Sequence, residues 1–352
     1  MTNASVTIPF PDDWHVHLRD DHMLSAVVEY SARRYRCAMV MPNLRPPVTS
    51  TTMARDYRDR IMTRAQSLGL TDFQPRMTLF ASADLDLEDL RAGVRDGVVT
   101  AVKFYPPGAT TNSDQAKGSL GSMMALLDCI ADLGIRLLVH AESTDPAIDI
   151  FSREAAFLET DLAPICSQLP DLGVTVEHIS TRAGVEFVEA HPQTVASITP
   201  HHLARERTDL LAHGMEPDLF CKPIINSADD QQALIAAATS TSTRFFLGTD
   251  SAPHPTTAKY KPKAAAGIFN APYGLEVTAE VFHQAAALDR LANFVSLNGA
   301  SVYGVEPSTR QLQLTRLTTP QPIPQETLIT ESGDEVVFFG TDEAAWWSIT
   351  GT

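Results

Sequence analysis

The run VVTAVKF (residues 98–104) precedes a helix-like segment, LGSMMALLDCIADL (120–133), and a second apolar run, IRLLVH (135–140). Short apolar runs rich in β-branched residues are typical of buried strands. Strands that alternate with helices are typical of a parallel sheet. This stretch therefore predicts a parallel sheet whose neighbouring strands are joined by helices.

The same alternation extends over most of the chain. Candidate strands end near Trp14, Met41, Phe80, Phe104, His140, His178, Ile198 and Gly248. Helix-like segments lie between them, for example at 51–68, 85–96, 120–133, 182–190 and 228–240. Eight parallel strands close a TIM barrel, so we predict a (β/α)8 barrel over residues 1–306. Short extended runs around Pro-rich turns then predict a small C-terminal appendage, residues 307–352, packed on the barrel.

The composition of the 352 residues is ordinary for a globular protein, with 44% hydrophobic residues and a formal charge of −16. This acidic balance, without a basic run, argues against nucleic acid as a partner. No run approaches the ~18 apolar residues that a membrane helix needs, and the first residues lack the pattern of a signal peptide. We therefore expect a soluble, cytoplasmic protein. The four cysteines are far apart, which predicts reduced core residues and not disulfides or zinc ligands.

Metal-capable or ionisable side chains stand at five of the eight predicted strand ends. They are His15 and His17, Lys103, His140, His178 and Asp250. In a TIM barrel the carboxyl ends of the strands form one rim, where active sites lie. His15 and His17 are two residues apart, so both side chains point to the same side of a strand and could form half of a zinc site. A lone HxH pair is more often a pair of surface histidines, but the joint placement predicts a metal centre.

Lys103 and Asp250 each allow two interpretations. Lys103 could be a snorkelling lysine or a cation that binds the substrate. Alternatively, its neutral amine captures CO2 and becomes a carbamate that bridges two metal ions, which we favour because the site otherwise lacks a bridging carboxylate. Asp250 would bind one metal and carry a proton from the attacking water to the leaving nitrogen. The alternative for Asp250 is a helix N-cap.

Further polar residues near the same rim indicate an anionic substrate. The planar guanidinium of Arg19 suits a bidentate carboxylate contact, and Asn43 and His254 lie close to the same strand ends. We expect these three residues to bind a substrate carboxylate. The segment 105–119 (YPPGATTNSDQAKGS) is either a plain surface connection or a lid that brings Thr110 and Thr111 to the substrate.

Eight motifs resemble those of dihydroorotases of the shorter, single-domain bacterial class, within the wider group of metal-dependent amidohydrolases. They are DDWHVHLRD (12–20), MPNLRPP (41–47), KFYPPGATTNS (103–113), HAE (140–142), EHIS (177–180), ITPHHL (198–203), GTDSAPH (248–254) and FNAP (269–272). The matches occur in order and extend to about residue 304. Two departures are mild, since Lys222 stands where some relatives have Leu and Ala141 where Gly is frequent. The tail after residue 307 does not match closely.

The resemblance implies a cyclic amide hydrolase that interconverts (S)-dihydroorotate and N-carbamoyl-L-aspartate in pyrimidine biosynthesis. It implies two Zn2+ ions per chain, one bound by His15, His17 and Asp250 and the other by His140 and His178, with N6-carboxylated Lys103 bridging them. It also implies that Arg19, Asn43 and His254 hold the substrate carboxylate, that the backbone at Lys222 and Ala266 contacts the ring, and that Thr110 and Thr111 belong to a mobile loop. Such enzymes are commonly homodimers.

Two other functions remain open from the sequence. The chain could act on an uncharged ring, as a hydantoinase or allantoinase does, although Arg19 and Asn43 in their contexts favour a substrate with a carboxylate. It could also be a non-catalytic homologue that assembles with another enzyme of pyrimidine synthesis. Such a relic usually loses metal ligands, whereas every expected ligand type is present here.

Overall fold

The computed structural model describes residues 4–351 of the chain. The strands are β1 (Ser5–Pro9), β2 (Asp13–Val16), β3 (Cys37–Val40), β4 (Gln74–Phe80), β5 (Val99–Phe104), β6 (Arg136–Val139), β7 (Val174–Val176), β8 (Thr194–Ile198), β9 (Phe245–Leu247), β10 (Gln311–Arg316), β11 (Thr327–Ile329), β12 (Glu335–Val337) and β13 (Trp347–Gly351). Strands β2 to β9 form one parallel sheet in sequence order. A parallel bridge between Val16 and Ser251 joins its two ends, so these eight strands form a nearly closed barrel. The predicted (β/α)8 barrel is confirmed.

Helices surround the barrel. They are α1 (Asp21–Arg34), α2 (Thr51–Ser67), α3 (Leu87–Arg95), α4 (Met124–Asp132), α5 (Arg153–Phe157), α6 (Ala163–Gln168), α7 (Arg182–Ala190), α8 (Pro200–Ala204), α9 (Arg207–Leu211), α10 (Ala228–Ala238), α11 (Thr256–Lys259), α12 (Gly274–Gln284), α13 (Asn298–Val302) and α14 (Thr341–Ala344). Helix α2 illustrates the local cause. Ser50 caps its first turn by accepting from the amide of Met53, and Ala54, Tyr57 and Ile61 are buried at helical spacing. Such a stripe buries one face of the helix against the strands.

The interior of the barrel is apolar below the rim and polar at the rim. Ala101 and Leu138 belong to the same buried apolar cluster, to which strands β2, β3, β8 and β9 also contribute. Side chains two residues apart on a strand point to the same side. Lys103 and His140, two residues beyond Ala101 and Leu138, therefore face the barrel interior at the carboxyl ends of β5 and β6.

The second sheet lies outside the barrel and contains both ends of the described chain. Its antiparallel order is β1-β10-β13. The strand predicted to end near Trp14 corresponds to two strands within SVTIPFPDDW (residues 5–14): β1 pairs with β10, whereas β2 enters the barrel. The break lies between Pro9, the last residue of β1, and Asp13, the first residue of β2, and it contains Pro11, since proline cannot donate to a strand ladder. The division at residue 306 stays a prediction, because β1 from before it pairs with β10 from after it.

All four cysteines, Cys37, Cys129, Cys166 and Cys221, are buried and form no disulfide within residues 4–351. Among the same residues, every helix is too short or too polar to cross a membrane.

Candidate metal and substrate site

His15 and His17 each direct a ring nitrogen at the same carboxylate oxygen. Nδ1 of His15 lies 2.7 Å from Oε2 of Glu177, and Nδ1 of His17 lies 2.8 Å from Oδ1 of Asn43. Both oxygens accept, so each Nδ1 carries the ring proton and each Nε2 has a free lone pair. Those Nε2 atoms lie 3.5 Å and 3.0 Å from Oδ1 of Asp250. Two neutral imidazoles and a carboxylate thus converge without a proton to share.

The electrostatics of this group favour a cation between its members. Burial alone would raise the pKa of Asp250, but the nearby side chains of His17, His15 and Lys103 lower that pKa to about 2. Burial also lowers the pKa of both His15 and His17, so neither ring becomes charged near neutral pH. The ligand atoms of the three residues lie within 4.8 Å of one another. Nitrogen and carboxylate oxygen are the donors that zinc prefers, so the group fits a metal ion.

His140 and His178 form a second pair on the neighbouring strand ends. Nε2 of His140 donates to Oε2 of Glu142 at 2.7 Å, which leaves Nδ1 of His140 free. That nitrogen lies 3.2 Å from Nε2 of His178, while Nδ1 of His178 has no hydrogen-bond partner among the described residues. Burial lowers the pKa of both rings. Two neutral ring nitrogens at this spacing are suited to bind one ion together.

Lys103 is near both groups, and its amine has no hydrogen-bond partner within residues 4–351. Its charge acts on the pKa of all four histidines, His15, His17, His140 and His178. The side chain is completely buried, and this burial lowers the pKa of the amine to about 8. A buried amine with a lowered pKa is neutral more often than the amine of a surface lysine. The neutral amine is the form that reacts with CO2.

A cluster of two histidines and a cysteine has a different character from the group of His15, His17 and Asp250. His201, His202 and Cys221 are buried, and their ligand atoms also lie within 4.8 Å of one another. However, Nε2 of His202 lies 3.0 Å from the carbonyl oxygen of Pro223, and the thiol of Cys221 donates to that oxygen at 3.2 Å. A carbonyl can only accept, so both potential ligand atoms carry a proton. The cluster is a hydrogen-bonded part of the core.

The residues predicted to bind the substrate lie beside His15, His17 and Asp250. Nη2 of Arg19 donates to Nε2 of His254 at 2.9 Å, and its Nε donates to the carbonyl of Pro253 at 3.1 Å. Nη1 of Arg19 makes no hydrogen bond to the described residues, so one end of the guanidinium stays available for an anion. One cavity contains most of the predicted site residues: His17, Arg19, Asn43, Thr110, Thr111, His140, His178, Lys222, Asp250 and Ala266.

The loop 105–119 lies over this cavity and is held there by residues from outside it. The amide of Asn43 donates to the carbonyl of Thr111 at 3.0 Å, and the hydroxyl of Thr111 contacts the carbonyl of Ala266 at 3.4 Å. Nζ of Lys222 donates to the carbonyl of Ala109 at 2.7 Å. The loop therefore contacts three separate chain segments that line the cavity.

Three site residues have left-handed backbone conformations. The φ angles are 58° at Arg19, 41° at His178 and 45° at Asp250. Residues other than glycine rarely adopt this region, and each such residue costs roughly 1–3 kcal/mol. Surrounding structure must hold these residues in place, which is typical of side chains that have to point in a required direction.

Sequence reasoning missed the carboxylates that orient the histidines. Glu177 and Glu142 accept from His15 and His140, and neither was singled out. Their signal was present in the motifs, because Glu142 follows His140 by two residues and Glu177 directly precedes His178. Asp13 was also missed. It accepts hydrogen bonds from the amide of Thr249 at 2.8 Å and from the amide of His15 at 3.1 Å, and so ties β2 to the segment that carries Asp250.

Comparison with known proteins assigns the family. Residues 10–309 match the model of the amidohydrolase family. A dihydroorotase of Ruegeria pomeroyi is 45% identical over 324 residues, which cover 91% of this chain and 93% of that protein. The crystal structure of dihydroorotase from Campylobacter jejuni is 31% identical, with a TM-score of 0.87 over 100% of this chain and 98% of that one. That of dihydroorotase from Saccharomyces cerevisiae, in complex with 5-fluoroorotic acid, is 25% identical, with a TM-score of 0.88 over 99% and 98% of the two chains. The chain therefore belongs to the amidohydrolase family and, within it, to the dihydroorotases.

Proposed function

We propose that this chain is a metal-dependent dihydroorotase that interconverts (S)-dihydroorotate and N-carbamoyl-L-aspartate in pyrimidine biosynthesis. One observation carries the proposal. Free lone pairs of neutral histidines, the carboxylate of Asp250 and the open end of the Arg19 guanidinium line the same cavity. Hydrolysis of an anionic cyclic amide requires residues that bind metal ions beside an arginine that binds the substrate carboxylate.

Two Zn2+ ions are proposed to bind here. His15, His17 and Asp250 would hold one ion, and His140 and His178 the other, with N6-carboxylated Lys103 shared between them. When bound, the ions would polarise the ring amide and lower the pKa of water. The complete burial of Lys103, which lowers the pKa of its amine to about 8, supports the carbamate, because a protonated amine would repel both ions.

Asp250 is the proposed proton carrier. Its low pKa keeps it ionised near neutral pH, so its carboxylate can accept the proton of the attacking water. It would then give that proton to the ring nitrogen as the amide bond breaks. In the reverse direction the ureido nitrogen of N-carbamoyl-L-aspartate would bond to the carbon of the side-chain carboxyl group, which would lose one oxygen as water.

Arg19, Asn43 and His254 are proposed to bind the ring carboxylate. Nη1 of Arg19 is free for this contact, and the hydrogen bond to His254 fixes the plane of the guanidinium. The yeast dihydroorotase was crystallised with 5-fluoroorotic acid, a pyrimidine carboxylic acid, which supports this class of ligand. The backbone at Lys222 and Ala266 would contact the ring, and Thr110 and Thr111 would close over it. We propose a cytoplasmic homodimer, as the family resemblance implies.

A steady-state assay beside metal analysis tests the proposal. Purified protein is expected to open dihydroorotate near neutral pH, to contain close to two zinc ions per chain, and to lose activity on chelation. Faster turnover of hydantoin than of dihydroorotate would favour an enzyme for uncharged rings. Absence of both metal and activity would favour a non-catalytic homologue.

A further inference from the structure

Lys259, at the end of α11, is a buried lysine outside the proposed catalytic machinery. Only 5% of its surface is exposed, and it forms no salt bridge with the described residues. Instead, Nζ donates to the carbonyl of Gly267 at 2.5 Å and to the carbonyl of Phe220 at 3.3 Å. Burying an ammonium group costs free energy, which its hydrogen bonds must offset. The position of the two carbonyls that accept from Lys259 therefore indicates what the buried lysine does.

The two carbonyls belong to the backbone segments that border the substrate cavity. Phe220 is two residues before Lys222, and Gly267 directly follows Ala266. Lys222, Ala266 and Gly267 all line the cavity. The amide of Gly267 also donates to the carbonyl of Phe220 at 2.9 Å. Lys259 therefore adds a second link between two segments that this hydrogen bond already joins.

The conformation at Gly267 leaves little room for these segments to move. Its φ is 152°, and a Cβ there would clash with the carbonyl oxygen of Ala252 and lie 2.9 Å from Cδ2 of His254. The segment therefore packs directly against the residues that follow Asp250. A small displacement of Gly267 would shift both Ala266 and the side chain of His254.

We propose that Lys259 is a positioning residue that fixes the backbone of Lys222 and Ala266 for contact with the pyrimidine ring. This inference rests on the proposed function, because it assigns these backbone groups to the ring of the substrate. Lys259 does not reach the reacting atoms itself. It acts by holding two carbonyls, and through them two chain segments, at one side of the cavity.

The test compares Lys259→Met with Lys261→Met, a matched change of an exposed lysine two residues away. Metal-loaded protein is titrated with 5-fluoroorotate, and dihydroorotate turnover is measured in parallel. For Lys259→Met we expect Kd for 5-fluoroorotate and KM for dihydroorotate to rise roughly 10- to 100-fold, as the loss of two hydrogen bonds implies. We expect kcat and metal content to change less than about threefold. Lys261→Met should match the parent chain in all four quantities.

Amide hydrogen exchange supplies a readout that does not depend on turnover. Exchange at Gly267 should accelerate in Lys259→Met, whereas exchange in the barrel strands should not. Unchanged Kd and KM in a folded Lys259→Met variant would overturn the proposal. So would an equal fall in kcat, metal content and global stability, because this would indicate a general structural role. If Lys259→Met does not fold, Lys259→Gln keeps a donor nitrogen at a shorter reach, and an intermediate increase in Kd is expected.

Failure of the proposed function gives a different pattern. Parent protein that binds 5-fluoroorotate but does not open dihydroorotate would refute the activity, while the difference in Kd between the parent and Lys259→Met would still test the role of Lys259.

Discussion

Oδ1 of Asn43 lies 2.8 Å from Nδ1 of His17, and the amide nitrogen of the same side chain donates to the carbonyl of Thr111 at 3.0 Å. Asn43 therefore connects a proposed metal ligand to the loop that covers the cavity. The second contact fixes the orientation of the amide, because only its nitrogen can donate to a carbonyl. A substrate carboxylate that binds Asn43 would have to share the amide nitrogen with the loop.

Asn43→Ala should weaken metal binding. Without Oδ1, the ring of His17 loses the acceptor that sets its tautomer, and such losses typically lower metal affinity roughly 10- to 100-fold. Competition with a chelator, followed by metal analysis, measures this affinity. Asn112→Ala is the control, since it removes the 2.9 Å hydrogen bond to the carbonyl of Asn43 but not the contact with His17. Equal affinities in the two variants would show that Asn43 does not support the metal ligand.

Lys222→Leu should loosen the loop without removing the backbone group at residue 222. The variant loses the 2.7 Å hydrogen bond from Nζ to the carbonyl of Ala109, a contact worth about 1 kcal/mol. We expect KM for dihydroorotate to rise up to about tenfold, with kcat nearly unchanged. Steady-state kinetics measure both. Lys117→Leu, an exposed lysine of the same loop, is the control. A KM within twofold of the parent value would mean that Lys222 does not hold the loop.

The sequence predicts the barrel well because its pattern is local. The composition of apolar runs such as VVTAVKF and IRLLVH is enough to predict strands, and the rim of a barrel brings their last residues together. The sequence predicts less of the structure where contacts between distant segments determine it. The pairing of β1 with β10 and the hydrogen bond of Lys259 to Phe220 join residues far apart in the chain. No periodicity in the sequence encodes these contacts, so they become visible only in the structure.

Asp250→Ala should abolish turnover and leave the barrel folded. Loss of a general acid–base group lowers kcat by roughly 10^2- to 10^4-fold, and loss of a metal ligand adds to this. Circular dichroism and thermal unfolding should remain close to those of the parent chain, because Asp250 contacts the cavity and not the apolar core. Asp56→Ala, on the exposed face of α2, controls for a change of surface charge. Near-normal kcat in Asp250→Ala would exclude Asp250 as the proton carrier.

Lys103 should make the reactivation of metal-free protein depend on pH and on CO2. Only the neutral amine forms a carbamate, and burial lowers the pKa of Lys103 from 10.5 to about 8. With Zn2+ and dissolved CO2 held constant, the reactivation rate should rise about tenfold per pH unit below 8 and level off above it. Recovered turnover of dihydroorotate after timed dilution measures this rate.

The histidines do not produce the same profile, because burial lowers the pKa of His15, His17, His140 and His178 and so moves it further from pH 8. A rise centred near pH 8 therefore points to the lysine and not to the imidazoles. Lys103→Met is the matched control, since it keeps the length of the side chain but cannot bind CO2, and it should not reactivate at any pH. Reactivation of the parent protein that is equally fast without CO2, or independent of pH between 6 and 8, would refute the carbamate and return Lys103 to the role of a substrate-binding cation.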